Sequence, residues 1–424
     1  MLEQLAGRRR RGTGLMSSIR QLNAWRHYQQ MAWILRHEGI SGAADRLREK
    51  AATALEPSMA RRIVRDEDIL RADLENPPQH LYAQPKGDET IWLNWLMTAP
   101  NAGSGGHTTI FRIIRHLEEN GYRNRVYFYD ARLTSIDGYV SALRNYYGFH
   151  GPVARFSGAM EDAHGVFATS WPTAYAAYSS NNAGKRFYFV QDFEPDFYPV
   201  SADRILAENT YHMGFHAITA GRWLKQKLMD EYAMEADAFD FGCDTQHYFN
   251  RSGPRNGIAF YARPGTARRG YEIGILALQL FAARRPDIEI HLYGEVVDTL
   301  PFPVVNHGLA TPATLNDIYN ACYAGLSLSL TNVSLVPLEM LASGCIPVLN
   351  DAPHNRMVID NPHVHYAPAT PQALSRSLEA IVGMSDFQPY SRAAAESQQG
   401  VRWEGAGEAV DQAIRRALSG GQGV

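Results

Sequence analysis

Ile258-Ala259-Phe260-Tyr261-Ala262-Arg263-Pro264-Gly265-Thr266-Ala267-Arg268-Arg269-Gly270 carries the clearest signal of the chain's architecture. An unbroken apolar run reads as a strand, and Pro264, Gly265 and Gly270 then punctuate the chain. The apolar stretch from Gly270 to Ala283 predicts a long helix. Strand, turn and helix make one βα unit. Three guanidiniums at the carboxyl end of its strand make a place for a diphosphate, because each presents a fork of N–H donors to phosphate oxygens. A solvated loop tolerates such a charge run equally well, so the arginines alone leave both readings open.

The same texture extends in both directions. Towards the carboxyl terminus, Ile288 to Tyr293, Ala324 to Ser329 and Ile346 to Leu349 read as strands, with helices over Pro312 to Cys322 and Leu335 to Ala342. Towards the amino terminus, strands are expected at Ile91 to Met97, Arg125 to Tyr129, Gly165 to Thr169, Arg186 to Val190 and His216 to Thr219, and a helix at Thr108 to Asn120. Alternation of this kind predicts α/β architecture: two Rossmann-like domains in succession, with a cleft at the carboxyl ends of both sheets. Domain limits follow at 1–86 (a basic helical extension), 87–245, 246–385 and 386–424 (a helical tail around Gly405 to Leu418). Asn76-Pro77-Pro78 and Pro85-Lys86-Gly87-Asp88 mark the first boundary.

Charge separates the extension from the rest. Residues 1–65 carry thirteen basic and five acidic residues, whereas the whole chain has a formal charge of −3. No overall basic field exists, which argues against nucleic acid as a partner. Ala24, Tyr28, Met31 and Leu35 recur at helical spacing among Trp25, Trp33 and several arginines. Such a helix can lie on an anionic membrane surface or pack its stripe on the body of the protein. No apolar run is long enough to span a bilayer, and Arg8 to Arg11 lead into polar sequence, so a cytoplasmic protein, peripheral at the inner membrane face, is expected. Cys243, Cys322 and Cys345 show no metal or disulfide spacing, and neither a metal nor another cofactor is expected.

Several polar groups stand where sites are built. Gly103-Ser104-Gly105-Gly106-His107 falls between a strand and a helix, and its glycines let backbone N–H groups approach an anion. It lacks the third glycine of the dinucleotide fingerprint. Thr331, Asn332 and Ser334 precede a predicted helix, as caps or as phosphate ligands. Glu339 lies inside the apolar run Leu335 to Leu341, where a carboxylate needs a partner: either ribose hydroxyls or an ion pair with Arg263 or Arg269. In the first half Gln191, Asp192 and Glu194, and then Glu208 and Tyr211, follow predicted strands; with His107 they are the candidates for the acceptor side.

In order, Phe241-Gly242-Cys243-Asp244, Phe260 to Gly270, Tyr293-Gly294 and Leu338-Glu339-Met340 through Pro347-Val348 resemble the landmarks of retaining GT-B glycosyltransferases of family four. Phe189 to Pro195, Ala207 to Tyr211 and Thr331 to Glu339 narrow the resemblance to rhamnosyltransferases of the WsaF type. It covers about residues 88–385. The resemblance implies a nucleotide-sugar donor, with Arg263 and Arg269 on its diphosphate, Glu339 on the ribose, and Gly105 and Gly106 near the reacting sugar. Arg268, Thr331, Asn332 and Ser334 join the donor set, and Gln191 and Asp192 join the two arginines as catalytic candidates. Eight positions before Glu339 the family's first glutamate is replaced by Thr331. That departure, with the narrower likeness, implies dTDP-rhamnose as donor and a polysaccharide or lipid-linked glycan as acceptor. Two rival readings stand beside it: a sugar-nucleotide epimerase or hydrolase on the same scaffold, and a non-catalytic GT-B protein.

Overall fold

A computed structural model describes residues 63–420 apart from 83, 88, 101–103, 130–135 and 298–299. The basic helix expected near Ala24 to Leu35 and the turn residues Asn101 to Gly103 lie outside the described residues. From Ile63 onwards the chain forms one unit built on two sheets. The first holds β1 (Trp92–Met97), β2 (Arg123–Phe128), β3 (Val153–Arg155), β4 (Gly165–Ala168), β5 (Lys185–Val190), β6 (His216–Ala220) and β7 (Ala236–Phe239), in the order β3-β2-β1-β4-β5-β6-β7. The second holds β8 (Gly257–Ala262), β9 (Glu289–Gly294), β10 (Val305–Asn306), β11 (Cys322–Leu326), β12 (Ile346–Asn350) and β13 (His365–Ala367), in the order β10-β9-β8-β11-β12-β13. Every pairing is parallel.

Strand order reverses between β1 and β4 in one lobe and between β8 and β11 in the other. A parallel sheet opens a crevice at such a switch point, outside the carboxyl ends of its strands. Both faces of each sheet must then be covered, and the strands accordingly bury nearly all of their side chains. Trp95, Phe167 and Phe187 stack ring on ring across β1, β4 and β5, with centroids 4.1 and 4.7 Å apart. That column packs side chains across three neighbouring strands at the centre of the first sheet.

Seven helices matter below: α1 (Asp66–Arg71), α2 (Gly105–Glu119), α3 (Trp171–Ser179), α4 (Tyr271–Arg284), α5 (Pro312–Ala321), α6 (Val336–Ala342) and α7 (Trp403–Ser419). Helix α7 does not form a separate tail. It crosses back to the first lobe, where a Cβ on Gly407 would stand 2.2 Å from the His116 ring of α2, so only glycine permits the approach. Tyr122 donates to Asp411, and Arg416 lies 3.1 Å from Asp237 on β7. The expected boundary at residue 86 also moves. Asp68 on α1 is buried and accepts from the Tyr129 hydroxyl at 2.8 Å and from Arg65 Nε at 2.8 Å, which ties residues 63–86 to the first lobe. Strand β11 stops at Leu326, short of the predicted Ser329, because the following backbone turns to bond Asn350: Ser329 N–H donates to its Oδ1 at 2.9 Å. Among the described residues no helix is long and apolar enough to cross a membrane.

Candidate active site at the seam of the lobes

The arginine loop leaves β8 and enters α4 through a short 3-10 turn, Ala267–Arg269. It faces the carboxyl edge of the first sheet. The Arg268 guanidinium lies 4.1 Å above the Phe197 ring and 3.4 Å from Asp192, both in the first lobe. Arg263 pairs with Glu295 at 2.8 Å and donates to the Tyr261 hydroxyl at 3.0 Å. Arg269 differs from both. Its Nη1 donates to Ser329 Oγ at 2.6 Å and to the Asn332 carbonyl at 3.4 Å, and among the described residues it has no carboxylate in ion-pair range. Burial works against its charge, so an incoming anion would stabilise it. Three guanidiniums thus face two carboxylates, and Asp192, ion-paired with Arg268, is also the leading negative charge acting on Arg269.

Opposite the arginines lie the predicted first-lobe residues. Helix α2 begins at Gly105, and a Cβ on Gly106 would sit 3.3 Å from Gln191 Nε2, so the helix start abuts that side chain. Asp192 is buried and accepts at both oxygens: Oδ1 from the N–H of Phe193 (2.9 Å) and of Asn332 (2.8 Å), Oδ2 from the Thr331 hydroxyl (3.1 Å). All of these donate, which is the pattern of an ionised carboxylate. Asn332 Nδ2 donates to the carbonyls of Gln191 (2.9 Å) and Ala220 (2.8 Å). Its Oδ1 is buried and without a partner among the described residues. Ser334 is half-buried at the start of the turn into α6.

Glu339 belongs to a second cluster. It touches neither Arg263 nor Arg269, so the ion-pair alternative for it is set aside. Tyr319 on α5 holds its hydroxyl 3.4 Å from Glu339 Oε2 and 3.0 Å from the Tyr293 hydroxyl. Burial pushes the Glu339 carboxyl up to about 7, against the pull of Tyr319, Arg112 and Tyr248. Tyr293 stacks on Tyr261 with centroids 5.4 Å apart, so an aromatic wall connects the acid to Arg263. Tyr319 and Arg112 escape sequence reasoning. Tyr319 sits in the apolar stripe of α5 and reads as core; the available signal is that a buried tyrosine hydroxyl needs a partner.

Four candidates for the acceptor side are absorbed into the first lobe. His107 lies 3.2 Å through Nε2 from the Thr98 carbonyl, which requires a proton there, and 3.0 Å through Nδ1 from Ser104 Oγ; both nitrogens are engaged. Glu194 is buried, and its Oε2 accepts from the N–H of Trp171 at 2.7 Å in the first turn of α3. Tyr211 is a core residue stacked between Tyr188 and Phe193. Glu208 accepts from the Tyr232 hydroxyl at 2.8 Å. Two open pockets, of about 570 and 620 Å³, lie beside Asp237 and Met357 and beside Gln84 and Tyr122; neither includes an arginine of the β8 loop. Among the described residues no three His, Cys, Asp or Glu side chains are grouped as metal ligands.

Residues 154–220 match the N-terminal domain of WsaF and residues 256–379 its C-terminal domain, one on each sheet. Each lobe is thus similar to one domain of WsaF. The chain is 32% identical over 267 residues to the O-antigen biosynthesis protein RfbC of Myxococcus xanthus, a match that spans 60% of this chain and 21% of that protein. The chain therefore covers about a fifth of that relative's length. Among solved structures it is similar to Anabaena HepE in complex with UDP and glucose (14% identity, TM-score 0.58, 78% of this chain and 100% of that one). It is also similar to WaaG, a glycosyltransferase involved in lipopolysaccharide biosynthesis (12% identity, TM-score 0.51, 78% and 100%). At such identities these structures establish the fold, which is GT-B.

Proposed function

We propose that this chain is a glycosyltransferase of polysaccharide biosynthesis that moves a sugar from a nucleoside-diphosphate donor to a glycan acceptor. The carrying observation is Arg269, a guanidinium without a carboxylate partner among the described residues, held by Ser329 and Asn332 at the carboxyl end of β8. Arg269, with Arg263 and Arg268 beside it, takes up charge on the leaving diphosphate without a metal ion. In many enzymes preformed charge stabilisation of this kind lowers the barrier more than any other single effect. Glu339, reached along the tyrosine wall, accepts from the nucleoside ribose; the open Oδ1 of Asn332 suits a sugar hydroxyl. The O-antigen relative and the UDP-bound and glycosyltransferase neighbours support this reading.

The finer reading is retaining transfer of rhamnose from dTDP-rhamnose, supported by Thr331 standing where the family carries glutamate. Purified protein is incubated with dTDP-rhamnose, UDP-glucose or GDP-mannose, with and without a glycan acceptor, and nucleoside diphosphate release is followed. Release that needs both dTDP-rhamnose and acceptor is expected. Acceptor-independent release would make it a hydrolase, and isomerised donor an epimerase. The basic segment 1–65 brings the enzyme to an anionic membrane bearing a lipid-linked acceptor. Flotation with anionic vesicles should be lost in a chain beginning at Ile63; equal binding would remove the idea.

A further inference from the structure

Among the described residues, five polar contacts join the ends of β5 and β6 to the loops after β8 and β11, and all involve Asp192 or Asn332. Asp192 supplies the acceptor for Asn332 N–H and for Thr331 Oγ1, and forms an ion pair with the Arg268 guanidinium at 3.4 Å. Asn332 supplies the donor to the carbonyls of Gln191 and Ala220, at the ends of β5 and β6. Both residues are buried, at 9% and 1% exposure, so these bonds are made away from water. Nearby the seam is apolar: Val358 packs on Gly221, and His354 meets the edge of the Trp223 ring at 5.3 Å. Such contacts resist sliding weakly, whereas a buried carboxylate with matched donors fixes one register.

The same loop also holds an arginine. Ser329 Oγ donates to the Asn332 carbonyl at 2.7 Å, and both groups accept from Arg269. Arg268 is placed by Asp192 and Phe197 together. A displacement of Asn332 from Asp192 therefore moves the groups that orient both guanidiniums.

We infer that Asp192 is a positioning residue: with Thr331 and Asn332 it forms a latch that joins the lobes and, through residues 329–332, presets Arg268 and Arg269 for an anion. This assigns Asp192 a role through its neighbours rather than on the reacting atoms. The kinetic meaning of the latch rests on the proposed transferase reading, but the latch itself does not.

Spin labels at Glu119→Cys and Arg376→Cys, exposed positions on opposite lobes, report the lobe separation by pulsed dipolar spectroscopy; the three native cysteines are buried. The nucleotide-free protein should give one narrow distance. Asp192→Ala should broaden it towards longer distances and weaken binding of dTDP or UDP about tenfold by calorimetry. Arg269→Ala should weaken binding while the distance stays narrow, which separates the latch from the anion site. Asn332→Asp replaces the amide donor with a carboxylate facing the Gln191 and Ala220 carbonyls, with little change of volume, and should open the seam if the alanine variant does not fold. A narrow, wild-type distance in either folded Asp192→Ala or Asn332→Asp overturns the latch. Absence of transferase activity with the distances as expected would instead count against the proposed function alone.

Discussion

Two carboxyl groups withdrawn from water, one in each lobe, have opposite surroundings. Glu194 caps the first turn of α3 through the Trp171 N–H, is walled by core aromatics, and burial raises its pKa to about 8. Glu339 is half-buried, meets tyrosine hydroxyls rather than backbone, and is raised to about 7. Both are perturbed by the same cause, so perturbation alone does not mark a site. The difference lies in the partners. A helix N–H cannot leave Glu194 without unwinding α3, whereas a tyrosine hydroxyl can rotate away from Glu339 and let a ligand hydroxyl replace it.

The arginine loop is expected to show the largest effect when this contrast is tested. Arg269→Ala removes the loop guanidinium that no described carboxylate pairs, and turnover should fall by about 10²–10³, as for loss of a preorganised charge-stabilising donor. The paired carboxyl substitutions come next. Glu339→Gln should raise the donor KM about tenfold and leave the melting temperature unchanged or higher, since a withdrawn charge is gone. Glu194→Ala should do the reverse: it leaves the Trp171 N–H without an acceptor, costing about 1–3 kcal/mol of stability by denaturant titration, with donor affinity intact. A shared drop in both quantities for both variants would erase the distinction.

Acid–base behaviour sharpens it further. The folded-state pKa of Glu194 lies above its value in the unfolded chain, so the folded protein holds the proton more tightly. Its contribution to stability is complete below about pH 4.5 and is lost as pH rises through about 8. Glu194→Gln keeps an acceptor for Trp171 and should flatten that part of the stability profile. The smallest effect is expected at Glu295, half-exposed beside Arg263. Pairs of this kind contribute about 0–1 kcal/mol, so Glu295→Gln should shift donor affinity by no more than about fivefold.

Central strands are legible because they are apolar runs between breakers, and β1, β4, β5, β8 and β12 fall within a residue or so of their expected ends. The edge strands β3, β10 and β13 are not, since two or three residues carry no period. Helix α7 is expected from its sequence, but its return to the first lobe depends on Gly407 meeting His116, two residues far apart in the chain. Within the site, the arginines, Gly106, Gln191, Asp192, Thr331 and Asn332 stand out singly and the fold brings them together. Tyr319 and Arg112 do not: each resembles an ordinary core or surface residue until its partner in space is known. Conversely Glu194, Glu208, Tyr211 and His107 look like site residues because they follow strands, and the structure spends their polar atoms internally.

If the loop after β8 and Glu339 grip the two ends of one nucleotide, its binding needs both. Calorimetric titration of dTDP and UDP into wild type, Arg269→Ala and Glu339→Gln tests it most directly. Wild type should bind a nucleoside diphosphate, and each variant should bind it at least about tenfold more weakly. Wild type that binds neither nucleotide, or variants that bind as wild type does, would contradict it.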